Sequence, residues 1–177
     1  MLKKEILILI SGKLTYFNEK NLIKIKECLK NYEVNFFFVV WKNQNQSTID
    51  RFKDKYKPVN FEEIPVFNFN ETLKKIKYPD NAGNTIGTLH MYKSICIAFE
   101  KIYKFYIHKQ KKPDYILRYR SDILPKDNQT LTDKNEVKRG QILIPDRYHW
   151  NGLNDQIFMI NIQDIEIFKK FDSFLNE

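Results

Sequence analysis

Two kinds of hydrophobic pattern take turns along the first half of the chain. Residues 5 to 11 hold an unbroken apolar run, Ile6-Leu7-Ile8-Leu9-Ile10, and Asn18-Glu19 then opens a stretch with Leu22, Ile25, Cys28, Leu29 and Tyr32 at helical spacing. A run without polar alternation marks a strand covered on both faces, while apolar residues three and four apart mark a helix with one buried stripe. Val34 to Trp41 repeats the first pattern, and a polar turn with a weaker helix near Thr48 to Tyr56 repeats the second. Phe61 to Phe69 alternates less cleanly and carries Pro65, which withholds a ladder N–H, so it reads as a weak strand.

The longest periodic segment runs from Thr85 to His108, with Leu89, Tyr92, Ile95, Phe99, Ile102 and Tyr106 along one stripe. An extended segment, Tyr115 to Ile123, follows it. After a polar loop come short strands at Gln141 to Ile144 and Ile157 to Ile160, and a closing helix from about Gln163. Strands separated by helices predict an α/β fold with a largely parallel sheet covered on both faces. At 177 residues the chain is long enough for one such domain, spanning 1–177, and too short for two.

Composition narrows the setting. The formal charge is +8 and the pI about 9.3, which favours polyanionic partners without choosing among them. Aromatic residues make up 15% and no low-complexity tract or repeat interrupts the pattern, which excludes a disordered chain. Lys3 and Lys4 before the first apolar run resemble the start of an export signal, but the run is too short and reads as a first strand. No apolar stretch reaches transmembrane length. Cys28 and Cys96 fall in helical patterns as small core residues, so a cytoplasmic location is expected.

The most telling segment is Tyr115-Ile116-Leu117-Arg118-Tyr119-Arg120-Ser121-Asp122-Ile123. Strand side chains alternate faces, so Arg118, Arg120 and Asp122 project from one side. Two guanidiniums and a carboxylate are expensive to bury without partners. They form either an internal ion-pair cluster holding a loop, or an anion site in which forked donors grip phosphate oxygens and a carboxylate holds a divalent cation against them. Such a strand end in an open α/β sheet is a place where ligands bind.

Several ordered pieces together carry a family resemblance. Ser11-Gly12-Lys13-Leu14 follows the first strand, Trp41 closes the second, and Arg118-Tyr119-Arg120-Ser121-Asp122 ends the arginine strand. Ile144-Pro145-Asp146 then leads into Gly152-Leu153-Asn154-Asp155-Gln156. In this order they resemble bacterial-type glycosyltransferases of lipopolysaccharide and capsule assembly, which implies a GT-A-like, Rossmann-like fold over nearly the whole chain. It also implies a nucleotide-sugar donor, a glycan or lipid-linked acceptor, and transferase activity. GT-A enzymes carry an Asp-x-Asp pair that holds a metal ion against the donor diphosphate; here Arg120 stands at the first position and Asp122 at the second. The implied cofactor is Mn²⁺ or Mg²⁺ on Asp122, or else the arginines themselves supply the counter-charge.

Asp155 is the implied catalytic base, a carboxylate in a polar turn before an apolar strand; ordinary turn chemistry is the other reading. Ser11 and Gly12 suit contact with a base or ribose because glycine lets backbone approach a ligand. Asp80-Asn81-Ala82-Gly83-Asn84-Thr85 leads into the long helix, where Asn84 serves as a nucleotide contact or as part of a plain loop and cap. His90 and Lys93 face either the nucleotide or solvent. His149, with Tyr148 and Trp150, is a metal or acceptor contact or simple packing.

Lys101, Lys104, Lys109, Lys111 and Lys112 gather where the long helix ends, complementing its dipole or docking an anionic membrane. Two functions from other classes compete with the transferase: an inactive relative that only binds sugar or nucleotide, and a nucleic-acid-binding module. Against the second, the lysines are spread over every element together with 22 acids rather than forming one basic stripe.

Overall fold

A computed structural model describes residues 3–14, 19–42, 45–75, 82–120, 136–144 and 157–169, without the side chains of 72, 73, 75, 82–84 and 169. In chain order the elements are β1 (Glu5–Gly12), α1 (Glu19–Cys28), β2 (Glu33–Trp41), α2 (Gln46–Tyr56), β3 (Asn60–Ile64), α3 (Asn70–Lys75) and α4 (Ala82–Tyr106). They continue with β4 (Tyr115–Tyr119), β5 (Ile142–Leu143), β6 (Ile157–Asn161), a 3₁₀ turn at Ile162–Asp164 and α5 (Ile165–Lys169). The weak strand stops at Ile64, one residue before Pro65, and the proline-bearing stretch that follows adds no ladder. Asn45 caps α2 by accepting the Ser47 N–H at 2.9 Å, and Lys57 ends that helix in the left-handed region at φ 40°.

The fold is α/β, built on one mixed six-stranded sheet of order β3-β2-β1-β4-β6-β5. β3, β2, β1 and β4 run parallel, as expected. β6 does not: it pairs antiparallel with β4, from Tyr115↔Asn161 to Tyr119↔Ile157, and β5 pairs antiparallel with β6. The expectation of a mostly parallel sheet is therefore corrected to a mixed one, because beyond β4 both remaining pairings are antiparallel.

Alternation along the strands divides the core into two layers. Ile6, Ile8, Ile10, Phe36, Phe38, Leu117 and Tyr119 face α1 and α2, where Phe38 stacks on Phe61 at 5.5 Å. Leu7, Leu9, Phe37, Val39, Ile116 and Phe158 face α4 and α5, where Phe99 stacks with Phe158 and Phe168 at 6.0 and 4.6 Å and those two rings stack on each other at 5.5 Å. The stripe read from α4 holds except at Tyr92, which is 40% exposed; Ser94 and Cys96 are buried instead. Cys28 is only half-buried.

One topological fact positions the site. Successive strands β1, β2 and β3 step outward to one edge, and α4 then carries the chain back across the sheet to place β4 on the other side of β1. Strand order thus reverses between β1 and β4, and by topology alone their carboxyl ends mark the crevice position at which open α/β sheets take ligands.

Candidate functional site at the reversal point

On the β1 side the crevice is bounded by Ser11 and Gly12. Gly12 adopts φ +103°, in the region that favours glycine, and no neighbouring atom lies within 4 Å of where a Cβ would stand. The backbone here is therefore turned, with space beside the missing Cβ although the residue itself is buried. Ser11 pairs with Val39 and, alternating with Leu9, faces the α4 layer; its Oγ is buried and has no hydrogen-bond partner.

On the β4 side stands Arg118, opposite Leu9 of β1 and Phe158 of β6. It belongs to the same layer as Ile116 and is only 2% exposed. Its Nη1 donates to the Tyr119 carbonyl at 2.6 Å. Both arginines were expected at the strand's tip, and this holds for Arg120 alone, which lies one residue past the end of β4 and is half-buried. Arg118 is set back within the sheet because β6 pairs along all of β4 and lays Phe158 beside it. Ser11 and Arg120 each stand two residues beyond the paired Leu9 and Arg118, so they share the α4 side of the sheet.

The N-terminal half of α4 covers the end of β2. Trp41 Nε1 donates to Ser94 Oγ at 2.7 Å, and Ser94 Oγ donates to the His90 carbonyl at 2.7 Å. The His90 ring packs among Trp41, Phe69 and Phe67 at centroid distances of 5.1, 4.9 and 6.3 Å. Burial holds its pKa below the usual 6.5, and its Nδ1 has no hydrogen-bond partner. The solvated-face reading of His90 is thereby overturned. Lys93 is half-buried on the same helix, and α4 already begins at Ala82, so Asn84 lies in its first turn rather than in a loop. The Asn84 side chain is outside the described residues.

The Trp41–Ser94–His90 chain was missed in the sequence. Its available signal was the four-residue spacing of His90 and Ser94, which sets both on one helical face.

Asp122 and Asp155 lie outside the described residues, as do Tyr148, His149 and Trp150. Among the described residues no three His, Cys, Asp or Glu side chains gather as a metal site requires. The described charged residues on β4 and just past its end are cationic, Arg118 and Arg120. These residues do not fit a divalent cation, and they do fit an anion. Guanidiniums provide forked donors for phosphate or carboxylate oxygens.

No helix among the described residues is long and apolar enough to cross a membrane. Compared with known proteins, the chain matches no family model and no curated sequence.

Proposed function

We propose that the chain is a glycosyltransferase with a GT-A-like fold, taking a nucleotide-activated sugar at the carboxyl ends of β1 and β4 and passing the sugar to a glycan or lipid-linked acceptor. The observation that carries this is the pairing of Arg118 and Arg120 with the Ser11–Gly12 turn across the point where strand order reverses. Cleaving the bond between an anomeric carbon and a diphosphate leaves negative charge on the departing phosphate. Preorganised donors aimed at that charge in a poorly solvated site contribute most to rate, and a half-buried Arg120 is such a donor. Arg118, deeper in the sheet, fixes the positive potential behind it. In this proposal Asp155 accepts the acceptor's proton and Asp122 completes the donor site, roles supported by the sequence resemblance.

Calorimetric titration with UDP, GDP, CDP and CMP sugars, with and without Mn²⁺, tests it. At least one donor should bind, and Arg120→Ala should reduce turnover by about 10²- to 10³-fold while the protein stays folded. A complete absence of nucleotide-sugar binding sinks the proposal.

A further inference from the structure

The parallel topology gathers at the sheet's opposite end what the sequence disperses. Each helix of the parallel unit returns the chain to the amino ends of the strands. Glu33 N–H bonds to the Lys4 carbonyl, Val59 N–H to the Phe36 carbonyl and Asp114 N–H to the Glu5 carbonyl, each at 2.9 Å. The segment at 136–141 arrives there too, tied by a Glu136–Lys4 ion pair and by Gly140 N–H donating to Asp164 at 2.8 Å.

Three carboxylates of this end are already engaged. Glu5 accepts from Asn35 at 2.8 Å and pairs with Lys111 at 3.1 Å, Glu33 lies 3.6 Å from Lys111, and Asp114 accepts the Glu5 N–H at 2.7 Å. Lys3, Lys30, Lys109, Lys112, Lys138 and Arg139 are exposed there and have no carboxylate partner among the described residues. Two lysines first grouped with them are otherwise committed, Lys101 to Glu62 at 2.6 Å and Lys104 to Glu100. Compensation of helix dipoles accounts for basic residues in last turns, but Lys3, Lys138 and Arg139 belong to no helix.

Apolar surface lies among these cations. Ile107 is 41% exposed and Ile142 44%. Between the end of α4 and the start of α5 an open cavity of about 200 Å³ is lined by Tyr103, Tyr106, Ile107, Ile162 and Ile165, together with the polar Lys112, Gln163 and Glu166. We infer that this end of the sheet docks on an anionic membrane, its lysines meeting lipid phosphates while Ile107 and its neighbouring cavity engage acyl chains. Exposed aliphatic groups rather than aromatic platforms favour lipid over nucleic acid: Phe105 and Tyr103 are half-buried and Tyr106 is buried.

This goes beyond the transferase proposal and does not rest on it. It fixes an orientation, since α4 is 25 residues and so spans about 37 Å between the two ends. A docked molecule turns its reversal-point crevice toward the aqueous phase.

Flotation of the full chain with vesicles is the test. Binding is expected to phosphatidylcholine vesicles containing phosphatidylserine, to fall with salt, and to be absent with phosphatidylcholine alone. Each lysine near an anionic surface is worth about fivefold in affinity, so Lys109→Glu with Lys112→Glu should weaken binding by at least about 25-fold. Ile107→Ser should weaken it at constant charge. A charge-matched control, Lys20→Glu with Lys74→Glu on helices that start from the other end, should bind as before, and circular dichroism confirms that each variant is folded. Failure to float, equal loss in control and test variants, or tighter binding to labelled RNA or DNA than to the vesicles would each overturn the inference.

Discussion

Arg118→Met separates a ligand-supporting arginine from a structural one by the size of its effect on stability. The side chain is 2% exposed, and one hydrogen bond, Nη1 to the Tyr119 carbonyl at 2.6 Å, ties it to its own strand. Methionine fills a similar volume without charge. If the guanidinium is held in the sheet for a ligand, its removal relieves desolvation, a gain of about 1–4 kcal/mol when no partner charge is stranded. Loss of a hydrogen bond from a charged donor offsets this by about 1.5–3 kcal/mol. The two nearly cancel, and net stability should change by less than about 2 kcal/mol. If Arg118 instead neutralises an internal carboxylate, the stranded acid costs about 3–5 kcal/mol.

Urea unfolding followed by circular dichroism measures this difference, because the two outcomes do not overlap. Titration of the same variant with a nucleoside diphosphate supplies the other half: loss of the positive potential behind Arg120 should weaken affinity by about tenfold or more. A variant that loses more than about 3 kcal/mol yet binds the diphosphate as the parent does refutes the ligand role.

Two further outcomes concern the helix that covers the crevice. Ser94→Ala leaves Trp41 Nε1 without its buried acceptor and should lower unfolding free energy by about 1–3 kcal/mol, while Trp41→Phe in the same chain should restore part of the loss because neither partner remains. His90 keeps a folded pKa below 6.5, so the unfolded chain takes up the proton more readily; stability should be full above that pH and decline as the pH falls through and below it. His90→Phe should flatten this part of the profile of melting temperature against pH, and an unchanged profile would show that another group titrates there.

Much of the first half of the fold was legible because a strand buried on both faces and a helix with one buried stripe carry different periods. Ile6 to Ile10, Val34 to Trp41 and the stripe from Leu89 to Tyr106 each have one reading, and the structure follows it. The direction of β6 was not legible, since Ile157-Phe158-Met159-Ile160 is equally apolar read from either end. The setting of Arg118 escaped for a related reason: alternation says which face a side chain takes, not whether a neighbouring strand extends far enough to cover it.

His90 looked like a surface residue because its aromatic neighbours come from Trp41, Phe67 and Phe69, three positions far from it in sequence. The basic end escaped most completely. Lys3, Lys30, Lys112 and Arg139 are scattered along the chain, and only the return of each crossover to one side of the sheet brings them together.

The reversal that creates the crevice also sets an order of assembly. On a ribosome, β1, β2 and β3 emerge early and are joined by local crossovers, whereas Ile6 gains its second neighbour only with Tyr115, after the whole of α4 has been made. Until then the central strand of the finished protein is an edge strand, its row of amide and carbonyl groups bare along one of the most apolar stretches of the chain. Nascent chains halted before β4 should therefore be the species that chaperones engage and that aggregate when translation outpaces them.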